Sequence, residues 1–211
     1  MDYQKIIIEA DGEEAELNCY LWSESPEYAK GRKRPCILIL PGGGYSFVSD
    51  REGEPVAFQF LAEGCQAAVL RYSVLPARYP TALIQAAKAM VLLREHAEEW
   101  NIDPDKIIVQ GFSAGGHLAA SLGIFWNRPF LGTRLGVEAK RIRPAGMILC
   151  YPVISSGEYC HGDSFVNLLG NSYDALVEEM SLEKQVHSQV PPVFIWHTFS
   201  DDCVPVENSL L

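Results

Sequence analysis

No apolar run in this 211-residue sequence approaches the length of a membrane span, so it offers no bilayer-crossing helix. The first residues, Met1-Asp2-Tyr3-Gln4-Lys5, show neither the basic segment nor the apolar core of a secretory leader. None of the six cysteines forms a C-x-x-C pair, which removes the commonest redox and zinc signatures. Cys36, Cys65 and Cys150 lie in or beside apolar runs. Buried free thiols in a reducing cytoplasm are therefore expected, rather than disulfides or metal ligands. Positive charge is scarce: the net charge of −10 argues against nucleic acid and anionic membrane as partners. There is no internal repeat, low-complexity tract or Ser/Pro linker. There is also no histidine after His197.

Hydrophobic residues make up 48% and charged residues 21%, the balance of one globular domain with a large core. Strands are predicted at Tyr3 to Glu9 and Ala15 to Trp22, around a turn at Asp11-Gly12. Buried strands follow at Pro35 to Leu40, Gln66 to Tyr72, Ile107 to Gln110, Pro144 to Tyr151 and Pro192 to Trp196. A helix is predicted at Glu54 to Glu63. A second, capped by Thr81, runs to about Trp100 with Leu83, Ala87, Met90 and Val91 at helical spacing. Asn101 to Asp105 reads as a turn and Trp126 to Arg143 as irregular. Pro152 to Val190 is mixed, with a helix over Tyr173 to Met180 and a turn near Ser181 to Gln185. Strands alternating with helices imply a parallel sheet with right-handed crossovers.

The chain is organised around Gly111-Phe112-Ser113-Ala114-Gly115, which follows a β-branched run and opens a run of small residues. A G-x-S-x-G in strand–turn–helix context reads as a nucleophile elbow, with Ser113 lifted off the strand end. The two glycines let strand and helix close on each other. The N–H of Ala114 is left free at a helix N-terminus. On the pentapeptide alone, an ordinary serine in a Gly-rich turn fits as well. Pro41-Gly42-Gly43-Gly44-Tyr45 ends an earlier buried strand. Alone it fits a flexible loop or a phosphate cradle, although a P-loop would follow its glycines with Lys rather than Tyr45. Paired with an elbow about seventy residues later, it is expected to complete an oxyanion hole through Gly43 and Gly44.

Asp201, after the last predicted strand, is the candidate acid, with Asp202 as runner-up; the order serine, acid, histidine suits this fold. The base is missing: His96, His117, His161, His187 and His197 all precede Asp201. His117 reads as a packed residue of the elbow helix and His197 as a support of the acid loop.

Pro41 to Tyr45, Leu70-Arg71-Tyr72, Gly111 to His117, Tyr151-Pro152-Val153-Ile154 and His197 to Pro205 together resemble α/β-hydrolases of the carbohydrate-esterase and hormone-sensitive-lipase-like group. Acetyl-xylan-esterase-like and feruloyl-esterase-like bacterial enzymes fit best. The resemblance covers about Pro35 to Leu211. It implies a three-layer αβα fold with a mostly parallel sheet, in a single domain over 1–211 with a cap-like insertion around 152–190. It implies an esterase that removes small acyl groups, typically acetyl, from hydroxyls of sugars. The substrate is then a small ester, an acylated sugar above all, bound without metal or organic cofactor. Tyr45 and Tyr72 are weaker candidates for lining its pocket, and ordinary core-edge aromatics are the alternative for both. A homodimer is left open.

Two departures stand out. Pro41 occupies the position where the family carries histidine. The family's C-terminal helix, last strand and histidine have no counterpart. The fold would place that histidine about 25–35 residues after Asp201, and without a further strand Pro192 to Trp196 becomes an exposed apolar edge. The expectation is therefore a chain without normal triad catalysis, either a fragment or dependent on a partner to cover that edge. The rival readings are a degenerate hydrolase kept as a binding module, or a hydrolase of aryl-formamides or short peptides.

Overall fold

The computed structural model describes residues 1–27 and 30–211. Seven strands form one sheet: β1 (Asp2–Ala10), β2 (Glu13–Leu21), β3 (Arg34–Leu40), β4 (Gln66–Arg71), β5 (Ile102–Phe112), β6 (Gly146–Cys150) and β7 (Val193–Trp196). Their spatial order is β1-β2-β4-β3-β5-β6-β7. From β4 to β7 all neighbours are parallel, whereas β1 and β2 pair antiparallel with each other and β2 with β4.

Helices cover both faces, as continuous apolar strands require. On one face α1 (Glu54–Ala62) buries Ala57 and Leu61 against Ile37, Ile39, Ala67 and Val69. On the other face lie α2 (Thr81–Glu95) and α3 (Ala114–Phe125). Every residue of α3 is buried, so this helix, small and apolar all round, is the centre of the larger core. The three layers and the mostly parallel sheet are those expected.

Four local expectations change. Thr81 is not an N-cap: Pro80 takes that position, and the Thr81 hydroxyl donates to Asp11 Oδ2 at 3.1 Å. Of the predicted turn at Asn101 to Asp105, all but Asn101 lies inside β5 as an irregularity, because Ile102 already pairs with Arg34 before the register shifts to Cys36 opposite Ile107. The segment Trp126 to Arg143 contains a helix, α4 (Pro129–Leu135), which buries Leu131 and ends on Gly136 in a left-handed conformation. The mixed segment holds α5 (Gly162–Leu169), which buries Phe165, Leu168 and Leu169, whereas α6 (Tyr173–Leu176) is a single turn. The spacing of those three apolar residues was a helix signal, masked by a start at Gly162 and a length of 8 residues.

Strand β7 closes one side of the sheet. All four of its residues are exposed, with Phe194 at 62% and Trp196 at 51%. An apolar edge strand of this kind is a template for further strand pairing. No helix among the described residues is long and apolar enough to cross a membrane.

Candidate active site

Strand β3 lies beside β5, yet the chain leaving β3 runs to α1 on one face while the chain leaving β5 enters α3 on the other. Loops that part in this way open a crevice at the carboxyl ends of the two strands. The glycine loop follows β3 and the elbow follows β5, so both candidate motifs meet there.

Ser113 holds φ 51° and ψ −119°, a region that non-glycine residues seldom occupy. Its neighbours hold it there. Its N–H donates to Cys150 O at 3.1 Å, and its carbonyl accepts from Val153 N–H at 3.0 Å and His117 N–H at 3.1 Å. Its side chain makes no cap bond to α3 and faces the crevice. The turn closes only because two β-carbons are missing. One added at Gly115 would lie 2.1 Å from Leu40 O, and one at Gly111 would lie 2.1 Å from Gly115 O.

The loop approaches the elbow closely: a β-carbon on Gly42 would sit 3.1 Å from Ser113 Cβ. Gly43 has φ 130°, and its carbonyl accepts from Ser46 N–H and Phe47 N–H, which turns the peptide back on itself. The N–H groups of Gly43, Gly44 and Ala114 donate to no acceptor among the described residues. Amides so oriented around a serine can hold an anion.

The loop is braced by a group that sequence reasoning missed. Glu52 is buried, and its Oε2 accepts the Gly42 N–H at 2.7 Å while Oε1 accepts the Tyr151 hydroxyl at 3.0 Å. Tyr151 follows β6 with φ 37°, and burial followed by the nearby Glu52 carboxylate raises its phenol. From α5, Asn167 donates to Gly44 O at 2.9 Å. Tyr151 carried a readable signal, as the residue after an apolar strand next to the elbow strand. Glu52 and Asn167 carried none, since only the folded chain sets them against the loop.

Tyr45 and Tyr72 are at 3% and 2% exposure, beneath the loop and outside the crevice wall, so the pocket-lining expectation is corrected for both. Tyr72 donates to Pro41 O at 2.7 Å. Tyr45 donates to His117 Nδ1 at 2.9 Å, while His117 Nε2–H donates to Met180 O at 2.9 Å. A carbonyl can only accept, so this contact determines the tautomer. Burial lowers the His117 pKa to about 4, and the ring is neutral at pH 7. His117 therefore ties the loop, α3 and the mixed segment together.

Asp201 reaches the same crevice from the turn after β7. Its Oδ1 accepts the Cys203 and Val204 N–H groups, both at 2.9 Å, and Oδ2 lies 3.7 Å from His197 Nε2. His197 donates from Nε2 to Val204 O at 2.9 Å and accepts the Ser209 hydroxyl at Nδ1 at 2.7 Å. Asp202 is exposed and outside the crevice wall. Among the described residues no histidine hydrogen-bonds to Ser113. His161 lines the crevice but bonds Ser164 Oγ through Nδ1 at 2.9 Å. His187 is tied to Ile124 O, and His96 pairs with Glu99 and stacks on Trp100.

The crevice encloses about 710 Å³, with Gly43, Gly44, Ser113 and Asp201 in its wall. That volume suits a small organic ligand. Phe47 and Trp196 supply apolar surface, and Asp163 and Asn167 of α5 supply polar groups.

Comparison with known proteins fits this geometry. The BD-FAE family model matches residues 24–211. Endo-1,4-beta-xylanase B of Butyrivibrio fibrisolvens is 42% identical over 191 residues, 85% of this chain and 29% of that protein. An acetylxylan esterase of Xylanibacter ruminicola is 30% identical over 203 residues, 93% of this chain and 38% of that protein. The chain thus spans well under half the length of these relatives. Among solved structures, an acetyl ester-xyloside bifunctional hydrolase from Caldicellulosiruptor lactoaceticus superposes with TM-score 0.81 at 39% identity, covering 95% of this chain and 72% of that one. A carboxylesterase from Lactobacillus plantarum WCFS1 gives TM-score 0.86 at 27% identity, covering 100% of this chain and 76% of that one.

Proposed function

The chain belongs to the BD-FAE family and carries the α/β-hydrolase fold, and from that premise we propose that it is a serine esterase that removes small acyl groups, acetyl above all, from carbohydrate hydroxyls. One observation carries this reading. Ser113, strained at the β5–α3 turn, faces a crevice shared with Asp201, beside the unbonded N–H groups of Gly43, Gly44 and Ala114. The carbohydrate part draws on the relatives named for xylan and acetyl esters.

In this mechanism Ser113 Oγ bonds to the acyl carbon and its proton passes to an imidazole. The carbonyl oxygen becomes an oxyanion held by Gly43, Gly44 and Ala114. Each such donor is worth about 3 kcal/mol in the transition state. The sugar oxygen leaves with the proton from the imidazolium. Water, deprotonated by the same imidazole, then cleaves the acyl–Ser113 bond and releases the carboxylic acid. Asp201 orients the imidazole and stabilises its charged form. We further propose one domain over 1–211, with 152–190 as a cap over the acyl pocket; His161, Asp163 and Asn167 in the crevice wall support the cap. A cytoplasmic location is supported by six cysteines, all of them free thiols. A homodimer would use the open β7 edge.

Because no described histidine bonds Ser113, the decisive assay supplies the base. With p-nitrophenyl acetate or an acetylated xylo-oligosaccharide, turnover above the Ser113→Ala background is expected to be slow and to rise with added imidazole. No excess over that background at any imidazole concentration would refute the esterase reading. Full activity without imidazole, lost in His161→Ala, would make His161 the base.

The same assay separates the two aspartates. Asp201→Asn is expected to lower the imidazole-dependent rate at least about tenfold, since an amide cannot stabilise imidazolium as a carboxylate does. Asp202→Asn, at an exposed position away from the crevice, should stay within about twofold. The reverse order would transfer the acid role to Asp202.

A further inference from the structure

We propose that the groove between the open face of β1–β2 and the turn at Asp50 to Glu54 is a second carbohydrate subsite, which holds the sugar chain of the substrate beyond the ester that Ser113 attacks. The proposal rests on the acyl-sugar reading above.

The groove follows from strand alternation. Tyr3 and Lys5 of β1 pair with Tyr20 and Asn18 of β2, and Asn18 and Glu16 pair with Val69 and Arg71 of β4. All these side chains share one face. Helix α1 packs on that face over β2, β3 and β4, while Tyr3 and Lys5 stay exposed. With Asp50, Arg51 and Glu54 as the far wall, the space is about 530 Å³. The catalytic reading makes no use of it.

Its surface suits a sugar. Pyranose rings offer C–H faces to aromatic rings and hydroxyls to fixed polar groups. The Tyr3 and Tyr20 rings lie 5.4 Å apart, and Phe58 meets Tyr20 edge-on at 5.4 Å. Tyr3 and Phe58 are 52% and 44% exposed, ready to be covered. The polar groups are held in place. The Tyr3 hydroxyl donates to Asn18 Oδ1 at 2.6 Å and the Tyr20 hydroxyl to Glu54 Oε1 at 3.0 Å. Lys5 pairs with Glu16, and Arg71 with Asp50, both at 2.6 Å. The cations Lys5, Arg51 and Arg71 match the carboxylates Glu16, Asp50 and Glu54, so the groove has no net charge. That balance suits a neutral polyhydroxyl chain and gives no attraction to phosphate polymers.

Continuity with the catalytic crevice is the second argument. Arg51 lines both spaces. No hydrogen bond of its guanidinium to a described residue occurs, so its donors can meet a sugar that passes from one to the other. A chain with its ester at Ser113 would run over Arg51 onto Tyr3 and Tyr20.

Isothermal titration calorimetry of the 211-residue chain with unacetylated xylobiose and xylohexaose tests this without any ester chemistry. Xylohexaose is expected to bind about tenfold more tightly than xylobiose. Tyr3→Ala and Phe58→Ala should each weaken xylohexaose about fivefold or more, and Tyr3→Phe, which keeps the ring, should stay within about twofold. Arg51→Ala should remove the dependence on chain length, while Lys140→Ala, on a separate surface, should change nothing. Circular dichroism confirms that each variant is folded. Undetectable binding, or binding indifferent to Tyr3, Phe58 and Arg51, overturns the proposal even if acetate release succeeds. The expected binding without acetate release would keep the sugar site and refute the esterase reading instead.

Discussion

In a version of the chain extended to carry a catalytic histidine, replacing Ser113 with alanine is expected to lower ester hydrolysis at least about a thousandfold while leaving the fold intact. In the proposed mechanism nucleophile, base and acid act as a unit, so once a base is supplied, losing Ser113 removes nearly all that the three achieve together. What would remain, on the proposed mechanism, is binding and oxyanion stabilisation by the Gly43, Gly44 and Ala114 amides. The fold should tolerate the change because the Ser113 side chain makes no cap bond to α3, and its backbone contacts to Cys150, Val153 and His117 do not involve the hydroxyl. Alanine meets the positive φ with the same β-carbon as serine. The check is kcat with p-nitrophenyl acetate, beside a thermal melt. A variant that keeps more than about a tenth of the rate would point to another nucleophile. A collapsed melting temperature would mean that the hydroxyl has a structural role.

Gly115→Ala is expected to be severely disruptive for a single added methyl. The new β-carbon would lie 2.1 Å from Leu40 O, 2.4 Å from Pro41 O and 2.7 Å from Pro41 C. These are backbone atoms of β3 and of the loop, so no side chain can swing away. Relief requires α3 to move off the sheet, and α3 is buried along its whole length. Overpacking of this kind costs about 1–3 kcal/mol where side chains can adjust, and more where only backbone can. A destabilisation of at least about 3 kcal/mol corresponds to a melting temperature lower by roughly 6–12 °C for a chain of this size. Gly136→Ala serves as the control. Gly136 has open space around its β position, so only the strain of its φ of 65° applies, about 1 kcal/mol. Equal shifts in the two variants would show that the helix is not clamped against β3.

The local pattern of residues determined most of the fold before any tertiary contact was known. Apolar runs such as Pro35 to Leu40 and Gln66 to Arg71 can satisfy both faces only as central strands of a covered sheet, and each is one. The elbow and the glycine loop were legible because tight turns admit few residue types, and those types stand at fixed offsets. The limits of local reasoning lie where a residue's environment comes from elsewhere in the chain. Thr81 has the chemistry of a cap, yet Asp11, distant in sequence, receives its hydroxyl. Tyr45 and Tyr72 follow motif strands and read as pocket walls, yet the loop folds over them and His117 and Pro41 take their hydroxyls.

Glu52 shows the same limit most clearly. Nothing in Asp50-Arg51-Glu52-Gly53 marks a carboxylate that will lie buried against Gly42 N–H and the Tyr151 hydroxyl. The placement of Asp201 and Asp202 likewise depends on the turn after β7, which puts Asp201 in the crevice wall and leaves Asp202 exposed. Backbone geometry and burial periodicity are short-range and are written in neighbouring residues. Hydrogen-bond partners, side-chain direction and the junction of two cavities at Arg51 arise from segments brought together only by the crossovers of the sheet, and only the tertiary structure decided them.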